Sequence, residues 1–309
     1  MKVINTKILS SFALVVIISS CSNSSMNSIR YPFPQPVSMP LPFMPGIVSS
    51  SGLDFNSAFS PDGKSFYFGR SENGKWIMYV TTFDGENWTK PVHPSFNDTA
   101  YSEADPAFAP DGTLYYISTK SRNSADTIKD YDIWFVKPLA GNQWTVPENM
   151  SVVNSDSNEL YISFAANDNL YFSSSRQGGF GQDDIYVCKY AGGKYSAPQN
   201  LGVAINSPGS DHDPLISKDE DFLVFSSVDR KDGYGQADLY FSRKNQQNRW
   251  LPSVNLGEKF NTPTYEYCSY LSRDNQYFFY STNSDVKWIK AKYLFEEMKK
   301  KTKSKKKQQ

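Results

Sequence analysis

Short apolar runs broken by tight polar turns recur along this chain from Phe55 onward. Phe55 to Phe68 reads FNSAFSPDGKSFYF, an apolar run, a Pro61-Asp62-Gly63 turn, then a second run. Proline presets φ, Asp bonds back to the backbone and Gly takes a positive φ, so this tripeptide reverses the chain between two strands. The pattern returns as AFAPDGTLYYIS from Ala107, SFAANDNLYFSS from Ser163, LISKDEDFLVFSS from Leu215 and YLSRDNQYFFYS from Tyr270. The last apolar residues before the turns are Phe59, Phe108, Phe164, Ile216 and Leu271, at intervals of 49, 56, 52 and 55 residues. Five returns at such a period predict a repeat architecture, a propeller or solenoid, with one supersecondary unit per repeat.

Within each repeat four short strands are predicted. The first repeat has an inner strand Ser57 to Ser60, a second strand Ser65 to Phe68 and a third Trp76 to Thr81. An Asp84-Gly85 hairpin signal then leads to an outer strand opening at Trp88. Third strands recur at Asp132, Asp184 and Asp238, each an acid followed by three apolar residues. These acids are expected to accept loop N–H groups. Outer strands share an aromatic residue followed by proline (Trp144 and Pro147, Tyr195 and Pro198, Trp250 and Pro252), which suits an edge. Apolar-Asn pairs (Phe96-Asn97, Val153-Asn154, Ile205-Asn206, Phe260-Asn261) lead into the next inner strand. The fifth repeat lacks an outer strand, and Pro42 to Gly46 matches the missing piece. The fold expected is therefore all-β, a single closed β-propeller of five four-stranded blades, with the N-terminal strand closing the last blade. A sixth blade would have to lie within the long loops. Lys290 to Lys300 has helical periodicity, with Tyr293, Leu294 and Met298 on one face, and is predicted to pack on the last blade. Beyond Lys299 a lysine-rich tail is expected to be disordered.

Composition changes this picture at the two ends. The formal net charge of +0 conceals an asymmetry: nine lysines lie in the leader and tail, and without them 23 basic residues face 32 acidic ones. A body of net −9 argues against nucleic-acid binding, which shows as a basic patch. Met1 to Cys21 has Lys2 and Lys7, an 11-residue apolar run from Ile8 to Ile18, then small residues. That is an export signal, too short for the roughly 20 residues of a spanning helix. Ile18-Ser19-Ser20-Cys21 resembles a lipobox. The resemblance implies acylation at Cys21 and membrane attachment through lipid, and Ser22 after it implies the outer rather than the inner membrane; the periplasmic face is the side expected. The organisation expected is a signal peptide over 1–20, an acylated tether and Pro-rich linker over 21–41, the propeller over 42–290, and helix and tail over 291–309.

The SPDG and APDG turns, the Leu-Tyr-Phe second strands and the Asp-Ile-Tyr third strands together resemble TolB-type propellers built of WD-like Pro-Asp repeats. FSSSRQGGFGQDDIYV (Phe172 to Val187) and FSSVDRKDGYGQADLYFS (Phe225 to Ser242) are similar to repeats of envelope lipoproteins. The resemblance spans roughly Pro45 to Ile289 and implies the fold and an envelope setting, since propellers host many activities. It departs in two respects. Repeats three to five replace the turn proline by Ala166, Lys218 and Arg273, and no OmpA-like domain follows within this sequence.

Five positions before each anchor stands an acid: Asp54, Glu103, Glu159, Asp211 and Glu266. Lining the channel mouth, these carboxylates would hold a cation or polar ligand, or serve a glycosidase as a carboxylate pair. As a structural ring they would bond to backbone and hydroxyl groups, and presence in every repeat favours that reading. The Gly-rich loops around Gly178, Gly179 and Phe180, and around Gly233 and Tyr234, do not precede a helix and so lack a phosphate-cradle context. They are candidate partner loops. His212, between Asp211 and Asp213, is expected at the surface with its charged form favoured, and His93 in an outer strand. Neither histidine has the spacing of a metal ligand set. Cys188 and Cys268 lie on non-adjacent blades, too far apart for a disulfide. No cofactor motif or nucleophile elbow is present. The function expected is a non-catalytic scaffold holding an envelope protein or glycan, with a glycosidase as the alternative.

Overall fold

The computed structural model describes residues 29–141, 143–283 and 285–306. Five antiparallel sheets are arranged as blades around one axis. The first blade is Asp54–Phe59, Ser65–Glu72 and Lys75–Thr82, with its outer strand reduced to a bridge between Val80 and Val92. Three four-stranded blades come next, with inner strands Glu103–Phe108, Glu159–Phe164 and Asp211–Ile216. The fifth has Tyr267–Leu271, Tyr277–Ser281 and Val286–Lys290, completed by Leu41–Pro42 from the N-terminal end. The expected closure is thus made, with Leu41 opposite Trp288 and the Phe43 N–H donating to the Val286 carbonyl at 2.9 Å.

Second strands such as Leu114–Ser118, Leu170–Ser174 and Tyr277–Ser281 are buried along their whole length. Each is covered by a neighbouring blade on both faces, so a continuous apolar run outcompetes simple alternation. The turn after each inner strand needs a left-handed residue. Gly63 and Gly112 supply it in the first two blades, and Asp168, Glu220 and Asn275 in the rest. These polar residues tolerate positive φ, so the turn survives loss of the Pro-Asp-Gly signature. Acids at the third strands act as expected in two blades: Asp184 accepts from Phe180 and Gly181 N–H, and Asp238 from Tyr234 N–H. Asp132 instead meets Arg122 at 3.1 Å. The asparagines of the apolar-Asn pairs clamp third strands, Asn206 pairing with both N–H and C=O of Ile185, as Asn261 does with Leu239 and Asn154 with Ile133.

The structure adds detail at both ends. The Pro-rich segment is docked on the propeller: Tyr31 bonds to Asp274 and packs on Tyr277, and Trp88 donates to the Arg30 carbonyl. The helix runs over Lys292–Lys306, so most of the lysine tail is helical rather than disordered. Its Leu294 and Met298 are fully buried against blades four and five together. No helix among the described residues is long and apolar enough to cross a membrane. Cys21 and the leader lie outside the described residues.

Candidate functional site

The five acids open, or directly precede, their inner strands, and all are buried. Asp54 accepts from Ser50 N–H and hydroxyl and from Arg70 at 2.5 Å. Asp211 accepts from Ser207 N–H and hydroxyl, from Ser227, and from Arg230 at 2.6 Å. Glu159 takes the equivalent donors from Ser155, Ser174 and Arg176, and Glu266 from Thr262 and Thr264. Glu103 holds Asn97, the Asp98 N–H and Ser118. The arginines stack on aromatic rings of their own blade, Arg230 over Tyr240 at 4.7 Å and Arg176 over Tyr186 at 5.0 Å. Each acid therefore ties the incoming loop to its sheet, and none of the five lines the axial cavity.

Two residues further on, a different ring does face inward. In every inner strand the ladder slips at a β-bulge. The residue there has positive φ: Asn56 (64°), Asp105 (54°), Tyr161 (39°), Asp213 (54°) and Cys268 (51°). A bulge re-aims side chains, and left-handed φ at Tyr or Cys is strained backbone of the kind that clusters at functional sites. The ring is joined across blades. Asp105 accepts the Tyr161 N–H and Asp213 the Cys268 N–H, both at 2.9 Å, and the Asn56 amide donates to the Cys268 sulfur at 2.9 Å.

Above this ring opens a cavity of about 290 Å³, bounded by all five blades. Its aromatic walls are Phe55, Trp76, Tyr265 and Tyr267, and its carboxylates are Asp105, Asp183 and Asp213. His212, expected at the surface, is instead buried at 8 % exposure. Its Nδ1 lies 3.2 Å from Asp213 and its Nε2 2.7 Å from the Tyr265 hydroxyl. Burial opposes its charged form, but Asp213, Asp183 and Asp211 outweigh that and hold its pKa above the ordinary value. Asp105 is pushed up to about 7 by burial and by the Asp213 charge, against the Tyr161 N–H and His212. Burial drives the Cys268 thiol well above its usual range, which favours the neutral thiol over the thiolate. Cys188 and Cys268 are both buried thiols, as the blade spacing implied. His93 is exposed beside Tyr79. No group of three ligating side chains suited to a metal ion occurs among the described residues.

The Gly-rich loops join neighbouring blades, and none of their residues lines the cavity. A Cβ on Gly181 would stand 2.0 Å from the Gly209 carbonyl, and one on Gly235 2.2 Å from that of Thr262, so only glycine permits these blade-to-blade contacts. Gly178 takes φ 88°, while Gly179 and Gly233 leave room for the Asp184 and Asp238 carboxylates. Phe180 and Tyr234 remain about half exposed. The bulge ring escaped the sequence reading because no one residue type fills it, Asp recurring only in the second and fourth blades. The usable signal was the acid-x-Asp-Pro pattern shared by EADPAF and DHDPLI.

With this geometry in place, comparison with known proteins concerns the fold. The chain is similar in fold to TolB-type propellers. A protein assigned as TolB from Agrobacterium tumefaciens is 18% identical, with 79% of this chain covering 78% of that one at a TM-score of 0.48. TolB from Acinetobacter baumannii is 14% identical at a TM-score of 0.44, and the match spans 54% of its length. A glycoside hydrolase superposes at a TM-score of 0.53 with 9% identity, covering 79% of this chain and 90% of that one. No protein-family model and no curated protein sequence matches the chain.

Proposed function

We propose that this chain is an exported lipoprotein of the cell envelope whose axial cavity binds a glycan without turning it over. The observation that carries the reading is the cavity: aromatic faces and buried carboxylates, fixed by all five blades, converge on one concave space. A sugar offers an apolar C–H face to rings and hydroxyl donors to carboxylates, which is the complement of that lining. The leader ending in Cys21 supports export and lipid attachment, with Ser22 favouring the outer over the inner membrane. The half-exposed Phe180 and Tyr234 of the Gly-rich loops offer contacts to an envelope protein presenting the glycan. The test is a glycan array probed with the purified chain and its Trp76→Leu variant. Binding to a defined glycan class that the variant loses supports the reading, and no binding on the array removes it.

One observation favours a hydrolytic use of the same cavity. Asp105, pushed up to about 7, holds a proton near neutrality as a general acid must. Release of reducing sugar from a bound glycan, abolished in Asp105→Asn, would move the function from binding to hydrolysis.

A further inference from the structure

The cavity's charge narrows the ligand class, an inference that rests on the glycan reading. Three carboxylates face the space, and no lysine or arginine is among its lining residues. Its one basic group, His212, is already engaged by Asp213 and Tyr265. The aromatic faces of Trp76, Tyr265 and Tyr267 attract cations through their quadrupoles. We propose that the glycan carries a free, positively charged amine, seated between these rings and the Asp105–Asp213 pair. An N-acetylated sugar would bring no cation to those carboxylates, and an acidic sugar would bring a like charge to a carboxylate-lined space.

Asp105 gives the proposal a second readout. The groups around it are Asp213 and His212 from the fourth blade, Cys268 and Tyr267 from the fifth, Tyr161 from the third and Tyr131 from its own. Only His212 among these is a cation. With the cavity empty, Asp105 keeps most of its proton at about pH 6, since its pKa is pushed up to about 7. An ammonium beside it favours the carboxylate, so binding at that pH releases a proton to solvent. The 2-amino group of a hexosamine, though less basic than a lysine, is mostly charged there.

The experiment is calorimetry on the full chain at about pH 6 in two buffers of different ionisation heat. The probes are chitotriose with free amines, the fully N-acetylated trimer, and choline as a cation without a sugar. The expected result is binding of the free-amine trimer about tenfold or more tighter than its acetylated form, with close to one proton released. Asp105→Asn should lose both the preference and the proton. Trp76→Leu, which leaves the acids in place, should weaken the amine trimer and keep the proton release, and melting curves of both variants establish that they fold. Equal affinity for the two trimers overturns the amine assignment and leaves the glycan site standing. Choline binding as tightly as the amino sugar upholds the amine and removes the glycan. Silence from all three probes overturns both.

Discussion

Each inner-strand acid exchanges water for a fixed set of protein donors, and where the exchange is incomplete it carries a pH signature. Burial pushes Glu103 up to about 7, against the Asp98 N–H and Ser118, and Asp132 up to about 7, against Arg122. With Asp105 they make three carboxyls that the folded chain prefers protonated. A folded pKa above the unfolded value gives stability that is complete below about pH 4 and lost as pH rises towards about 7. His212, raised above its ordinary value, adds to the loss through the same upper range. Urea denaturation across this range should show stability falling with pH, and Glu103→Gln should flatten the slope and gain about 1–3 kcal/mol at the alkaline end. An unchanged slope would mean that Glu103 ionises freely. Asp211 is the contrasting case, because its partner is Arg230 at 2.6 Å. Asp211→Ala strands that guanidinium and should cost about 3–5 kcal/mol. Adding Arg230→Met should recover part of it, since the side chain already lies on Phe225 and Tyr240. A double variant no more stable than the single one would assign the loss to the Ser207 loop instead.

At the scale of elements, the closure rests less on its two ladder residues, Leu41 and Pro42, than on the aromatic ring beside them. Phe43 is fully buried against Phe66, Phe279 and Trp288, with ring centroids 4.7 to 5.1 Å away. Phe43→Ala should cost about 3–5 kcal/mol in a denaturant titration. Deleting residues 29–46 should do more, because Val286–Lys290 then presents an open edge. Light scattering would register the association, and a monodisperse truncation would show the edge to be protected by other means. The Gly-rich loops are a second kind of joint. Gly235→Val would force a side chain into the Thr262 carbonyl and should loosen the Ala237–Tyr265 bridge. Hydrogen exchange at Glu266, whose N–H donates to Ala237, would accelerate while the first three blades keep their protection.

Across the whole molecule, closure makes the blades interdependent, since each inner strand packs against those of both neighbours. Unfolding should therefore be one transition, with far-UV dichroism and tryptophan fluorescence coincident; separate midpoints would mean that blades melt individually. The period of the repeats, the turn after each inner strand, the missing fifth outer strand and its N-terminal replacement were all legible in the sequence. These depend on contacts between residues close in the chain or repeated at fixed spacing, and local chemistry suffices to specify them. The five acids were legible too, as a repeated feature, and their donors confirm how regularly they are used. The cavity was not legible. Asp105 and Asp213 share one local pattern, EADPAF and DHDPLI, and Cys268 does not, but only five bulges closing around one axis bring the three together. His212 shows why: flanking acids made its charge readable in sequence, but its burial comes from Tyr265, at the entry to the fifth blade, stacking on its ring. Spacing by itself determined the scaffold, because a repeat is a local code; ring closure decided the site, because burial and charge pairing between distant blades exist only once the ring is shut.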